Sequence, residues 1–178
     1  MFEIIVAVLV ILALALAAVL ILASRKPDTF RVQRAATIDA PPDRIFPLIS
    51  DFRQWRAWSP WEDRDPGLQR SYSGPASGEG AVYQWKGNRN VGAGRMEILE
   101  APPPHKIVIK LDFISPFEGH NTAEFTLSPQ GGSTIVTWLM HGPAPLLSKV
   151  MQVFMSMDDM IGKDFTAGLA RLKRVAEA

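Results

Sequence analysis

Few of the side chains that strand alternation points inward could transfer a proton, so the sequence offers little acid–base chemistry inside a pocket. Its three histidines, His105, His120 and His141, fall in predicted turns or at a strand end and lack the spacing of metal ligands. The chain has no cysteine, which excludes disulfides, thiolate zinc sites, iron–sulfur clusters and cysteine nucleophiles. We therefore expect no metal ion. His141 has the parity of an outward-facing strand residue, which favours a surface role over a catalytic one.

Two charged residues interrupt patterns that are otherwise apolar. Arg34 shares its strand parity with Val32 and Ala36, and Asp158 lies inside the apolar arc of a predicted helix. A buried charge is costly unless it is paired. Either both residues supply polar contacts for a ligand head group, or Arg34 is solvated near a strand end and Asp158 caps a helix turn.

Two glycine-rich segments invite a dinucleotide-binding interpretation. They are Gly78-Glu79-Gly80 and Gly92-Ala93-Gly94. A dinucleotide-binding fingerprint follows a strand and opens a helix, whereas both of these segments precede predicted strands. We interpret them as hairpin glycines and expect no cofactor.

The elements that must position these residues form a simple order: one strand, two short helices, six strands and one long helix. Short turns between the strands imply antiparallel pairing, and the apolar stripe of the last helix must cover the apolar face of the sheet. Small residues in that helix permit close approach, namely Gly162, Ala167 and Gly168. The predicted strands are 30–38, 69–72, 81–86, 94–100, 106–113, 121–127 and 134–140, the short helices are 43–50 and 52–58, and the long helix is 147–172.

Strand alternation places most aromatic and aliphatic side chains on one face of the sheet, which we expect to line a cavity. For each aromatic residue, simple core packing is the alternative. The expected walls are apolar, with two charged exceptions. The candidate ligand-binding residues are Arg34, Trp58, Trp61, Tyr83, Trp85, Met96, Phe113, Phe125, Trp138, Met140, Phe154 and Asp158.

The N-terminal segment 4–23 contains no charged or polar residue. Twenty helical residues rise about 30 Å, the thickness of a bilayer's hydrocarbon core. A cleaved signal peptide is the alternative, but Glu3 and the length of the apolar core argue against it. We predict a transmembrane anchor at 1–25, a linker at 26–29 and a ligand-binding domain at 30–178.

Charge predicts both the orientation and the kind of partner. Arg25, Lys26, Arg31 and Arg34 follow the apolar segment, so the positive-inside rule places the C-terminal domain in the cytoplasm, on a single-pass helix of the cell's inner membrane. The formal net charge is +1 without a basic stripe, which argues against a nucleic-acid partner. We expect the soluble domain to be a monomer.

Four motifs carry a family resemblance. Segments 37–42, 55–61, 78–88 and 164–173 read TIDAPP, WRAWSPW, GEGAVYQWKGN and DFTAGLARLK. The chain resembles the SRPBCC superfamily, the START-like or helix-grip proteins, in its polyketide cyclase/dehydrase-type branch, and is similar to bacterial members with one N-terminal membrane helix. The resemblance covers nearly all of 29–178. It implies an α+β fold in which a seven-stranded curved antiparallel sheet grips a C-terminal helix, with an internal cavity for a hydrophobic ligand.

Three functions remain open at this point, because one fold hosts many activities. The first is non-enzymatic binding of a hydrophobic small molecule, such as a lipid or isoprenoid, by a membrane-tethered domain. The second is a cyclase- or dehydrase-type enzyme that uses Arg34, Tyr83, Asp158 or His141. The third is an accessory module that binds a protein partner at the membrane.

Overall fold

The computed structural model describes residues 1–178. One N-terminal helix precedes an α+β domain in which strands dominate the middle of the chain. A 3₁₀ helix, Phe52–Ala57, follows α2. The helices are α1 Phe2–Ser24, α2 Pro42–Ser50, α3 Leu146–Phe154 and α4 Met157–Glu177; the strands are β1 Thr29–Ile38, β2 Gln69–Ser73, β3 Val82–Lys86, β4 Ala93–Glu100, β5 Lys106–Ser115, β6 Gly119–Gln130 and β7 Ser133–Pro143.

All seven strands belong to one antiparallel sheet in the order β1-β7-β6-β5-β4-β3-β2. Consecutive strands from β2 to β7 are neighbours, as short connections require, and β1 closes the far edge beside β7. The predicted fold class is confirmed. The predicted strands are all present, but β5, β6 and β7 are two, five and four residues longer than expected because their pairing with neighbouring strands continues almost to the turns.

The C-terminal helix α4 packs on one face of the sheet, which we call the inner face. Its Phe165 stacks on Trp138 of β7, with the two ring centroids 4.1 Å apart and the planes nearly parallel. Gly168 permits this approach, since an added Cβ would lie 2.8 Å from Trp138 Cζ3. Gly162 faces the Arg34 side chain in the same way. Ala167 is exposed, so its predicted role in the contact is wrong.

The single long helix predicted after Pro143 is two helices. Helix α3 ends at Phe154, and α4 begins at Met157 with a new N-cap, Ser156, whose hydroxyl oxygen accepts from the Asp159 amide at 3.0 Å. Serine at this position satisfies an amide that the first helical turn leaves free. The apolar periodicity continues through the break, which is why the pattern alone suggested one helix.

Helix α1 is long and apolar enough to cross a membrane, and its apolar stretch is not buried by the rest of the protein. Near its C-terminal end, Ala23 is buried, and α1 contacts α3. Four residues, 25–28, separate the end of α1 from β1. The helix therefore leaves the domain from the end of the sheet where β1 begins and β7 ends.

Candidate functional site

The inner face has two parts that differ in how well they are covered. The distal part consists of Trp58, Phe125, Trp138 and the α4 residue Phe165, all of which are buried. The proximal part lies near the end of the sheet that joins α1, and its residues are only half-buried. These proximal residues are Phe30 of β1, Trp85 of β3, and Leu111 and Phe113 of β5.

The distal part is a cluster of aromatic rings in edge and stacked contact. Trp138 lies 4.8 Å from Phe125 and 5.6 Å from Trp58, measured between ring centroids. Trp61 extends the cluster with centroid distances of 5.7 Å to Trp138 and 6.2 Å to Phe165. Such pairs add stability beyond the area they bury. In the distal part, the aromatic residues that were expected to line a cavity are packed core instead. Core packing was the alternative interpretation for each of them.

One polar atom in this cluster lacks a partner. The indole nitrogen Nε1 of Trp138 is buried and makes no hydrogen bond. The neighbouring indoles do: Trp55 Nε1 donates to Ile49 O at 2.8 Å and Trp58 Nε1 to Leu48 O at 2.9 Å. A buried donor without an acceptor is costly and rare. Trp138 is thus a free donor in otherwise apolar surroundings.

The proximal part carries loosely covered apolar groups. Trp85 and Phe113 meet edge to face, with their ring centroids 5.9 Å apart. Gly94, opposite Phe113 in the register, has no side chain, and the Trp85 ring lies over it. These side chains form an apolar surface that is neither fully packed nor fully solvated.

A charged pair marks the border between the two parts. Arg34 of β1 donates from Nη1 to Asp158 Oδ1 at 2.8 Å and from Nη2 to Asp158 Oδ2 at 2.7 Å. The hydrogen bond from Arg34 lowers the pKa of Asp158, and the same bond raises the pKa of Arg34. Both side chains are partly exposed. The pair joins the first turn of α4 to the sheet, and each charge neutralises the other.

A second polar cluster was not predicted. Glu62, in the connection before β2, is buried and accepts from Tyr83 Oη at 2.7 Å and from Arg70 Nε at 2.6 Å. Burial, and then the hydrogen bond to Glu62, raises the pKa of Tyr83, so the phenol stays protonated. The expectation that Arg34 and Asp158 are the only charged groups of the inner face is therefore wrong.

Part of this second cluster could have been found in the sequence. Arg70 alternates with Tyr72 in β2 and pairs with Trp85 in the register, so parity alone puts it on the inner face. Glu62 lies in an irregular segment with no periodicity, and nothing in the sequence pattern indicates that it is buried.

The histidines lie away from the inner face. His141 has its Nε2 3.1 Å from Glu124 Oε1, and both residues belong to the outer face of the sheet. His120 has its Nδ1 2.7 Å from Asp112 Oδ1, and this hydrogen bond raises the pKa of His120. No group of three or more His, Asp or Glu side chains forms a candidate metal site. Two histidine–carboxylate pairs thus exist, and neither faces the inner side.

The predicted ligand-binding residues fall into several environments. Phe154 lies outside the inner face: it ends α3 rather than facing the sheet from one long helix, and it is 71% exposed. Asp158, expected inside the apolar arc, lies at the exposed first turn of α4. Of the others, the buried ones are Trp58, Tyr83, Met96, Phe125, Trp138 and Met140, and the half-buried ones are Arg34, Trp61, Trp85 and Phe113.

A surface depression elsewhere contains none of these residues. It has a volume of about 500 Å³ and is lined by Ala57, Arg171, Arg174, Val175 and Ala178. These side chains lie at the C-terminal end of α4, beside the 3₁₀ helix.

The geometry of the sheet and α4 defines the class of protein: a helix-grip domain of the SRPBCC type. Residues 29–177 match the model of the family described as polyketide cyclase / dehydrase and lipid transport. The chain belongs to this family. No curated protein has a sequence that matches the chain significantly.

Solved structures share the fold at low sequence identity. Protein CV1439 from Chromobacterium violaceum has a TM-score of 0.59 at 16% identity, over 86% of this chain and 99% of that one. The di-domain ARO/CYC BexL from the BE-7585A biosynthetic pathway has a TM-score of 0.59 at 17% sequence identity, and the match covers 88% of this chain and 53% of that one. DynU16, from the dynemicin biosynthetic locus, has a TM-score of 0.57 at 18% sequence identity, and the match covers 86% of this chain and 48% of that one. These likenesses establish the fold alone.

Proposed function

We propose that this chain is a membrane-tethered, non-enzymatic binder of a hydrophobic small molecule, such as a lipid or an isoprenoid-like compound. The observation that carries the proposal is the proximal part of the inner face. Phe30, Trp85, Leu111 and Phe113 present apolar surface that α4 leaves half-covered. Such surface is costly in water and is the usual lining of a small-molecule site.

The polar groups near this surface suit recognition of a small head group. The Arg34–Asp158 pair at the border has no net charge, so it favours a neutral or weakly polar head group over a strong anion. We expect the tail to contact Trp85 and Phe113, and the head to lie toward the border.

The tether is supported by α1. Its length and apolar composition fit a bilayer span, and the basic residues Arg25 and Lys26 directly follow it. The positive-inside rule then puts the domain in the cytoplasm. A tether of this kind would hold the apolar inner face close to the phase in which such a ligand dissolves.

The absence of a free acid–base pair supports binding over catalysis. A general acid or base must reach its substrate by a hydrogen bond. The two carboxylate oxygens of Glu62 accept hydrogen bonds from Tyr83 and Arg70. Both carboxylate oxygens of Asp158 accept hydrogen bonds from Arg34. The groups that could transfer protons are thus occupied by one another.

A cyclase- or dehydrase-type enzyme is the second candidate, favoured by Glu62 and Tyr83, an acid and a phenol hydrogen-bonded in the interior. The family description also includes cyclases and dehydrases. If this candidate is right, an aromatic polyketide-like substrate should be turned over, and Tyr83→Phe should abolish turnover while Tyr72→Phe should not.

Native mass spectrometry of the full-length protein, released from membranes in mild detergent, tests the binding proposal. We expect a co-purifying species of defined mass that organic solvent extracts. Trp85→Ala should lower its occupancy several-fold. The matched control is Gln84→Ala, the neighbouring exposed residue on the outer face, which should leave occupancy unchanged. Absence of any bound species, or equal occupancy in both variants, would argue against the proposal.

A further inference from the structure

We propose that α3 and the tip of the β5–β6 hairpin form a membrane-docking face that inserts into the lipid interface around α1. The docking face consists of Leu147, Met151 and Phe154 of α3 with Ile114 and Phe117 of the hairpin. This inference rests on the proposed tether, and it adds a second, peripheral contact with the same bilayer.

Helix α3 exposes an apolar face, whereas an amphipathic helix of a water-soluble domain usually buries it. Leu147, Met151 and Phe154 recur at i, i+4 and i+7, the spacing of one helix face, and their exposed fractions are 55%, 41% and 71%. The side chain of Lys149, by contrast, is only 12% exposed. No residue of α3 is buried. An apolar stripe of this kind, turned outward, fits a helix that lies in a membrane interface.

The hairpin contributes a second apolar projection. Ile114 and Phe117 are each 63% exposed; Ile114 lies near the end of β5, and Phe117 lies in the turn between β5 and β6. Exposed aromatic and branched aliphatic residues at a turn, where polar residues are the norm, suit a tip that enters an apolar phase.

The sheet register places the hairpin and α3 at one end of the molecule. Thr122 near the start of β6 pairs with His141 near the end of β7, and Pro143 at the end of β7 pairs with Thr29 at the start of β1. The β5–β6 turn, the start of α3 and the exit of α1 therefore share the same end of the sheet.

Covalent geometry identifies lipid as the occupant of this face. The four linker residues after α1 can span at most about 14 Å. The last of them, Asp28, is held at α3: its carbonyl accepts from the Ala144 amide at 2.7 Å, and its carboxylate pairs with Lys149. Ala23 of α1 is itself buried at the contact with α3. A bilayer crossed by α1 must then begin beside α3.

Charge at this junction is also complementary to a membrane surface. Arg25 and Lys26 are exposed directly after α1. Basic residues at this position are attracted to the anionic lipids of a cytoplasmic leaflet. Docking would turn the half-covered proximal residues toward the bilayer, so that a hydrophobic ligand could pass between lipid and protein without crossing open water.

Site-directed spin labelling of the full-length protein in phosphatidylcholine–phosphatidylglycerol vesicles tests the docking face. The chain has no cysteine, so each single variant carries one nitroxide. The test sites are Phe154→Cys and Phe117→Cys. Leu12→Cys in α1 reports the tether, and Gln130→Cys, exposed in the hairpin at the opposite end of the sheet, is the matched control.

We expect the labels at 154, 117 and 12 to collide several-fold more often with oxygen than with a water-soluble nickel complex, and the label at 130 to show the reverse. A lipid-like signal at 12 with water-like signals at 154 and 117 would overturn docking and leave the tether standing. A water-like signal at 12 would overturn both. Immobilised labels at 154 and 117, shielded from both reagents, would indicate a protein partner and also contradict lipid docking.

Discussion

The distal and proximal parts of the inner face are made of the same kinds of residue but differ in coverage. Distally, Trp58, Phe125 and Trp138 are fully enclosed by α4 and the 3₁₀ helix region. Proximally, Trp85 and Phe113 are equally large and aromatic, yet remain half-buried. The contrast indicates that the distal part stabilises the fold, while the proximal part leaves apolar surface half-covered, as the proposed ligand site requires.

The border between the two parts shows why one sheet face is covered at one end and half-covered at the other. Helix α4 starts where Arg34 holds Asp158, so its apolar stripe covers only the strand segments beyond that point. The break before Ser156 lets the chain leave the sheet there instead of covering its proximal end. If α3 and α4 formed one continuous helix from Leu147, its path relative to the sheet would be different.

The largest expected effect is in the distal part. Phe165→Ala should lower the free energy of unfolding by about 3–5 kcal/mol, because it leaves a cavity against Trp138. Urea unfolding of the full-length protein in detergent measures this. Phe154→Ala, which removes the same ring from an exposed site, should cost less than about 0.5 kcal/mol. Similar losses in the two variants would erase the distinction between packed and exposed aromatic residues.

The buried network at Tyr83 should give the next largest effect. Tyr83→Phe removes the hydroxyl that donates to Glu62 and should cost about 1–3 kcal/mol, since a buried carboxylate loses one partner. Tyr72→Phe is the control: its ring stacks on Tyr83 at 5.2 Å, but its hydroxyl makes no hydrogen bond. It should be near neutral in the same urea titration. A neutral Tyr83→Phe would mean that this network does not stabilise the fold.

A proximal substitution should cost less stability and affect binding more. Phe113 is half-buried, so Phe113→Ala should lower the free energy of unfolding by only about 1 kcal/mol. The same change should reduce ligand occupancy in native mass spectra several-fold. A loss of stability as large as that of Phe165→Ala, without a change in occupancy, would place Phe113 in the core.

The smallest effect concerns pH. Because the hydrogen bond from Arg34 lowers the pKa of Asp158, the pair stabilises the fold above the ordinary carboxyl pKa of about 4. That contribution is lost as the pH falls through the lowered pKa. The difference in melting temperature between the natural protein and Asp158→Asn should therefore be constant near neutral pH and shrink below about pH 4. A difference independent of pH would show that the ion pair is not formed.

Strand alternation and turn residues were sufficient to predict the fold, because hydrophobic period and short connections leave few topologies for such a chain. The inward orientation of Trp138, Phe125 and Tyr83 followed from the same parity. How completely these residues are covered did not follow from parity. Coverage depends on where α4 begins, and α4 begins at a serine N-cap, Ser156, that interrupts an otherwise continuous apolar periodicity. Glu62 could not be predicted because it occupies an irregular segment.

Photolabelling with a diazirine-bearing isoprenoid or fatty-acid probe tests the central claim most directly. The full-length protein in vesicles is irradiated with the probe, and adducts are located by peptide mass spectrometry. The account predicts adducts at Trp85, Leu111 and Phe113 that an excess of unlabelled competitor removes, with none at Phe125 in the packed part. Adducts confined to α1, or proximal adducts that no competitor reduces, would contradict a ligand site on the inner face.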